Sequence, residues 1–539
     1  MPNQLNDLGT FDYVIVGAGS AGCVLANRLS ANPNTTVLLL EAGGQGNHFW
    51  VHVPIGYLYT MNNPKTDWCF KTEPESGLNG RSLSYPRGKI LGGCSSINGM
   101  IYMRGQSKDY DNWRQLGNIG WGWDDVFPYF LKSEDYAYES NQWHSQGGEW
   151  RVENQRLSWE ILTAFEKAAV QAGIPKTDDF NRGDNNGVGY FQVNQKHGVR
   201  WNTAKAFLNP IKNRKNLKIL THAHASKIKF DNNLHASNLE FSFQGTVNRV
   251  SSNNEIILSA GAVGTPLLLE KSGVGNPTIL NGAGINVLHP LPGVGENLQD
   301  HLQMRMVYKV QGVKTLNEMS HSIFSKIGMA MQYALFRSGP LSMAPSQMGC
   351  FTKSDTYQET PNLEYHVQPL STEVLGAKLH HFPAVTTSVC NLRPQSRGSV
   401  HIRDNKANSQ PLIKPNYLSV LQDQLVAIKG IKITRHICSQ PALKKYQPIE
   451  LKPGIEIEDD EALLKAAGDI GTTIFHPVGT CKMGSDKYSV VDEKLCLRGV
   501  TGLRIVDASI MPIITSGNTN SPTIMIGEKA ADMILKEYR

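Results

Sequence analysis

The sequence predicts an α/β chain, α+β taken as a whole, in which a nucleotide-binding sheet is joined to an antiparallel sheet with helices. Three observations predict it. An apolar run, Phe11 to Val16, ends in Gly17-Ala18-Gly19-Ser20-Ala21-Gly22 and a helical stretch bearing Val24, Leu25 and Leu29 on one face. A second apolar run, Thr36 to Leu40, ends on Glu41. Between about residues 306 and 465 the chain instead mixes short alternating segments, as at 362–370 and 398–402, with helical ones. The first two observations describe a Rossmann-like strand–turn–helix–strand unit. The third describes a separate, antiparallel domain.

Each part of the first unit has a physical task. Gly17 permits the tight turn, Gly19 lets backbone N–H groups approach a pyrophosphate, and Gly22 lets helix and strand pack closely. Ser20 and Ala21 open the helix, whose unpaired donors and positive dipole end suit phosphate. Glu41, followed by Ala42, stands where a carboxylate accepts both ribose hydroxyls and disfavours a 2′-phosphate. These residues leave FAD and NAD as the alternatives.

The 539 residues fit two to four ordinary domains or two large ones. With 40% hydrophobic and 19% charged residues, the chain is neither disordered nor a coiled coil. A net charge of +6, spread without a long block, gives no support to nucleic acid as a partner. Eight cysteines without a C-x-x-C pair are neither a disulfide framework nor a zinc site, so no metal is expected and a reducing compartment fits. The N-terminal segment lacks a basic region and a cleavage motif, and no apolar stretch reaches about 18 residues. A cytoplasmic protein is expected, soluble or peripheral on the inner face of the membrane.

Further motifs decide the cofactor. They are PRGKILGGCSSINGMIYMRG at 86–105, GAVGTPLLLEKSGVG at 261–275, FHPVGTCKMG at 475–484, LRIVDASIMP at 503–512 and SGNTNSPTIMIGEKAADMI at 516–534. Together with the glycine turn and Glu41, they resemble the glucose–methanol–choline (GMC) family of flavin oxidoreductases, from about residue 11 to the C-terminus. The resemblance is closest to bacterial FAD-dependent alcohol dehydrogenases, with choline dehydrogenases next. It implies FAD. The loop with Arg87, Leu91, Gly92, Gly93, Ser95, Asn98, Gly99, Met100 and Ile101 would wrap the flavin, although a Gly-Gly-Cys-Ser-Ser run alone reads as a flexible loop. Cys94 departs from the usual Gly, Ser or Thr. Ile97 stands where some members carry a flavin-linking His, so non-covalent FAD is implied. The backbone at Ala225, within a strand expected over 221–228, would meet adenine, and Ala260 and Gly261 belong to the same site. Asp507 and Ala508 would lie at the flavin; the lesser alternative for Asp507 is a helix N-cap.

The resemblance also implies the catalytic pair. His476 precedes Pro477 in a glycine-bounded loop, and its imidazole suits proton transfer near neutrality. In the family this His faces flavin N5. Asn518, otherwise a turn asparagine, would donate to a developing alkoxide without itself becoming charged. Thr519, Asn520, Pro522 and Thr523 would lie beside the pyrimidine edge, at the start of a helix expected over 523–534.

The expected FAD-binding domain is therefore discontinuous, made of 1–160, 200–305 and 466–539, and the substrate-binding domain comprises 160–200 and 306–465. Asn297, Asp300 and His301 mark the crossover and read as hinge and hydrogen-bonding residues. The segment 322–336 reads either as a helix resting on a membrane, where a quinone is reached, or as one packed inside the substrate domain; packing is favoured. The aromatic loop 44–80 reads as a lid, a dimer contact or plain surface packing, and a monomer or homodimer is expected. The function implied is oxidation of a small primary alcohol to its aldehyde, with electrons passed to a quinone or other acceptor. Choline oxidation, with Glu364 as a candidate carboxylate, and an O2-using alcohol oxidase are the alternatives.

Overall fold

The computed structural model describes residues 6–373, 377–406 and 409–538. The terminal residues 1–5 and 539 of the expected FAD-binding segments lie outside them. The first apolar run forms strand Asn6–Val16, buried from Tyr13 onward. It pairs in parallel with Val37–Glu41 on one side and Thr246–Leu258 on the other. Leu217–Thr221 and Leu503–Ile505 extend this parallel layer. Continuous apolar runs such as VLLLE are what a sheet covered on both faces requires. The first half of Thr246–Leu258 pairs antiparallel with Ala236–Phe243, which returns as His224–Phe230.

The stretch 221–228 is not one strand. His222 takes a left-handed φ of 57°, which ends Leu217–Thr221 and lets His224–Phe230 begin in another part of the sheet. Helices Ser20–Leu29 and Asn520–Glu537 pack closely. Gly527 makes this approach feasible, because a Cβ there would stand 3.1 Å from the Ala21 Cα. The second helix starts at Asn520, three residues before the expected Thr523.

A second sheet is antiparallel throughout. Its order is Ile449–Lys452, Leu302–Lys309, Ala384–Asn391, Leu363–Gln368, Met348–Thr352 and Gly187–Tyr190, with Gly471–Thr473 also on Leu302–Lys309. Residues 302–305 and 471–473, which the sequence reading assigns to the FAD-binding segments, are strands of this sheet. Alternation gives it two unlike faces. Met304, Met306, Tyr308, Tyr365, Val367 and Val389 point into a core shared with helices Glu160–Gln171 and Leu421–Cys438. The opposite face carries Gln303, Arg305, Glu364, His366, Gln368 and Ser388.

The helix expected over 322–336 spans Ile323–Phe336, with the Ser322 hydroxyl accepting from the Ser325 N–H. The favoured reading, packing inside the substrate domain, holds for one edge of the helix, where Met329 and Tyr333 join the core of that domain, and fails for the rest. Only Met329 and Tyr333 of this helix are buried, while Phe324, Leu335 and Phe336 are 84%, 70% and 66% exposed. The period shows which residues share a face, and cannot show that no element covers it.

Candidate active site

Residues from both sheets line one cavity of about 360 Å3. At its nucleotide end the three glycines divide their tasks as their spacing implies. Gly17 has φ 101°, and a Cβ there would stand 2.5 Å from the Ser259 carbonyl oxygen. A Cβ at Gly22 would press on the Gly17 carbonyl. At Gly19 an added Cβ meets nothing nearer than 3.9 Å, so the turn stays open to the cavity. Glu41 accepts from the Ala18 N–H at 3.0 Å and the Gly43 N–H at 2.7 Å. Burial pushes its carboxyl up to about 7 against those two bonds.

The loop after Arg87 folds onto this turn. Gly92 donates its N–H to the Ala18 carbonyl at 2.8 Å, and a Cβ on Gly93 would stand 2.8 Å from the Gly19 Cα. Ser95 and Ser96 turn their hydroxyls inward to the Gly92 and Leu91 carbonyls at 2.6 and 2.7 Å. Gly93, Asn98, Gly99, Met100 and Ile101 line the cavity together with Arg87 and Cys94. Gly22, Leu91, Gly92 and Ser95, expected at the cofactor, do not: they form the layer behind the wall. Motif spacing identifies the loop, but it cannot tell the residues of the wall from those that brace it.

Asp507 is both a wall residue and an anchor. It accepts from the Gly261 N–H at 2.8 Å, the Thr265 hydroxyl at 2.6 Å and the Ser509 N–H at 2.8 Å, and so ties helix Gly261–Lys271 to the cavity. Ala225, Ala260, Gly261 and Ala508 line the same end. Thr519, Asn520 and Thr523 bring the N-terminus of the last helix to the wall, and Ser20 donates to the Asn520 side-chain oxygen at 2.6 Å. Asn520 Nδ2 is buried there without a partner. An open glycine turn, two helix N-termini and an unpartnered donor fit the phosphates and pyrimidine edge of FAD.

At the other end stand His476 and Asn518, with Asn518 Nδ2 3.0 Å from His476 Nε2. The tautomers follow from a chain of contacts. His301 Nε2 is 3.1 Å from the Leu392 carbonyl, which can only accept, so this nitrogen carries the hydrogen. His301 Nδ1 then accepts, and His476 Nδ1, 3.1 Å away, donates to it. His476 Nε2 is left unprotonated, its lone pair accepting from the Asn518 amide. Burial pushes His476 well below its ordinary pKa, and His301, His366 and Arg87 add to the effect. The imidazole is therefore a neutral base at pH 7. Arg87 reaches behind it, donating to the Phe475 carbonyl at 2.7 Å.

Several functional residues carry no motif. His366 joins the cavity from strand Leu363–Gln368, and Tyr57 and Met61 enter it from the aromatic loop, which is therefore in part a cover. Arg200 braces the flavin loop through the Asn98 and Ser95 carbonyls, 2.7 and 3.3 Å away. Glu364 does not line the cavity: it is wholly buried behind His366, its Oε1 3.0 Å from His366 Nε2 without hydrogen-bond alignment. Among the described residues there is no cluster of metal-ligating side chains, and no helix is long and apolar enough to cross a membrane.

Comparison with known proteins adds to this geometry. Two family models described as GMC oxidoreductase match residues 11–303 and 394–527. The alcohol dehydrogenase [acceptor] of Pseudomonas putida is 41% identical over 530 residues, covering 98% of this chain and 96% of that protein. The oxygen-dependent choline dehydrogenase of Photobacterium profundum is 39% identical, with 98% and 93% covered. Among solved structures, a formate oxidase of Aspergillus oryzae superposes with a TM-score of 0.91 at 26% identity, covering 98% and 99% of the two chains.

Proposed function

The chain belongs to the GMC oxidoreductase family, and on that premise we propose that it oxidises a primary alcohol to the aldehyde with bound FAD, using His476 as base and Asn518 as donor. GMC oxidoreductases are flavoproteins that use FAD. Residues 17–22, Glu41, the loop 87–101, Asp507 and the helix start at 518–523 would hold it, without a covalent link, since that loop contains no His. When bound, FAD supplies the hydride acceptor. The substrate hydroxyl gives its proton to His476 Nε2, while Asn518 Nδ2 donates to the oxygen. His301 keeps the imidazole in the accepting tautomer. The observation that carries this reading is the unprotonated Nε2 paired with an amide donor inside the cavity. Anaerobic stopped-flow bleaching of the flavin by a panel of alkanols, aryl alcohols, glycols and choline tests it. Loss of bleaching in His476→Ala supports it, and undiminished bleaching overturns it. Acid precipitation, which should leave the yellow colour in solution, tests the non-covalent link.

The charges favour an uncharged or anionic alcohol over choline. Among the described residues the carboxylates lining the cavity are Glu41 and Asp507, both at the nucleotide end, while Arg305 lines the end formed by the antiparallel sheet. A trimethylammonium group has no countercharge there.

For the acceptor we propose a quinone reached by peripheral contact with the inner face of the membrane. The largely exposed helix Ile323–Phe336 supports it, as does the absence of any Asp or Glu from 42–66 and 319–354, two segments that reach the cavity through Tyr57 and Met61 and through Pro345 and Ser346. Sedimentation with anionic phospholipid vesicles tests this: the wild type should pellet, and Phe324→Glu combined with Leu335→Glu should stay in solution. Pelleting unaffected by the substitutions overturns it.

A further inference from the structure

Most buried arginines of this chain are satisfied. Arg104 pairs with Glu134 and Arg504 with Glu255, at 2.9 and 2.6 Å. Arg200, without a carboxylate, uses backbone carbonyls, with only its Nε left over. Arg305 differs. It lies on strand Leu302–Lys309, on the polar face of the antiparallel sheet, and lines the cavity. Its Nη2 is buried with no hydrogen-bond partner, and no carboxylate of the described residues stands within ion-pair distance of it. Burial lowers its pKa to about 10, so the guanidinium stays charged at neutral pH. A half-buried cation whose Nη2 is shut off from water without a countercharge is costly, and the cost is recovered when a ligand brings the anion.

The surroundings say where that anion sits. Arg305 is directly opposite Ser388, and Ser388 is directly opposite His366. Two strand spacings put Arg305 about 10 Å along the sheet from His366, which lines the same cavity as His476. Ser388 Oγ and both ring nitrogens of His366 are also buried without hydrogen-bond partners. Nearby, Gln303, Gln368 and Ser346 line the cavity. A guanidinium beside the hydroxyls and amides of Ser388, Ser346, Gln303 and Gln368 matches a monoanion with two oxygens, which it can grip with parallel N–H bonds.

We propose that Arg305 binds a carboxylate at the far end of the alcohol substrate, so that the preferred substrates are hydroxy acids with several carbons between the carbinol and the carboxylate. This rests on the reading of His476 as the base at the near end.

The test uses the FAD-loaded full chain. Flavin reduction is measured with butan-1-ol to decan-1-ol and with the ω-hydroxycarboxylates of the same lengths. Binding of hexanoate, which cannot be oxidised, is followed by the visible difference spectrum of the flavin, with hexanamide as the uncharged comparison. The hydroxy acids should be favoured at one range of chain lengths. Arg305→Gln should lower the ratio of hydroxy-acid to alkanol kcat/KM by about 10- to 100-fold and weaken hexanoate by a similar factor. Arg305→Lys should restore part of both. Equal use of both series, with hexanoate no tighter than hexanamide, overturns the proposal in the wild type alone, whatever the variants do. A tighter grip on phosphorylated alcohols than on hydroxy acids also overturns it. Failure of every alcohol to bleach the flavin overturns the alcohol reading instead, and hexanoate against hexanamide still decides the role of Arg305.

Discussion

Asp300 and His476 are joined through the backbone: Asp300 Oδ1 accepts the His476 N–H at 2.8 Å. The other carboxylate oxygen takes the hydroxyls of Tyr85, Tyr417 and Thr473 at 2.9, 2.5 and 2.6 Å. One carboxylate thus pins the base loop to three elements, and His301 follows it directly in the chain. Asp300→Asn turns one oxygen into a donor facing donors. We expect a loss of about 1–3 kcal/mol of stability in denaturant titrations. Flavin reduction should slow by at least about tenfold, because a base displaced by 1 Å is costly. An unchanged reduction rate in a folded variant removes Asp300 from the positioning of His476.

The pKa of His476 sets a pH dependence with a definite sign. Burial lowers it well below the ordinary 6.5. The unfolded chain therefore binds a proton below 6.5 that the native state refuses. Stability contributed by this group is intact above that pH and declines as the pH falls toward the native pKa. The kcat/KM for alcohol should fall in the same direction, because protonation removes the base. Thermal melts taken downward from about pH 8 would show the first and reduction rates followed further into acid the second, and His476→Ala should flatten both profiles. A rate that rises on acidification contradicts the assignment.

Asn518 is uncharged, and that matters. Asn518→Asp would set a carboxylate about 3 Å from His476 Nε2, at the position of the present amide. A neighbouring anion favours the imidazolium. The acid limb of the rate profile should move to higher pH. Asn518→Ala should instead lower kcat by about 100-fold, the usual cost of one lost donor to a developing oxyanion, with the acid limb left in place. If both variants leave limb and rate unchanged, Asn518 does not face the reacting oxygen.

Gly93 is where the flavin loop meets the dinucleotide turn. Its φ of 51° is left-handed, and an added Cβ would press on the Gly19 Cα at 2.8 Å. Gly93→Ala therefore strains the loop and shifts the turn. The expected result is protein purified with well under one FAD per chain by the ratio of absorbance at about 450 and 280 nm, with far-ultraviolet circular dichroism close to wild type. Full flavin occupancy would show that the loop yields without cost.

The parts of the fold and site that were legible are those carried by contiguous residues. Residues 17–22 and Glu41 identify the nucleotide end because turn, helix start and strand end follow one another directly. His476 and Asn518 stand out through their neighbours Pro477 and Gly517. The parts that were not legible depend on partners far along the chain. His301 acts on His476 across 175 residues and Arg200 on Asn98 across 102. Nothing in the local pattern of either segment encodes the other. The helix Ile323–Phe336 shows a different limit: an apolar surface on most sides reads as buried, and only the arrangement of the other elements leaves it bare.

Arg200 gives the test that separates bracing from binding. It is wholly buried and does not line the cavity, so it touches neither substrate nor the space for the cofactor. Its Nη1 reaches the Asn98 carbonyl, the Asn98 side-chain oxygen and the Ser95 carbonyl at 2.7, 3.0 and 3.3 Å. Burial pushes its pKa down to about 9, and the loop is held by a cation that neutral oxygens stabilise, with no carboxylate beside it. Lysine is a single point donor on a shorter stem: it ends short of the Nη1 position and has no second nitrogen for the Pro54 carbonyl, 3.5 Å from Nη2. Arg200→Lys should weaken FAD by about 10- to 100-fold, measured by reloading the stripped protein and following flavin fluorescence. Once saturated with FAD, the variant should reduce its flavin with the same dependence on pH as the wild type, because the His476 network is untouched. A changed pH profile at full occupancy would mean that Arg200 acts on the base, and normal FAD affinity would mean that the loop holds its shape unaided.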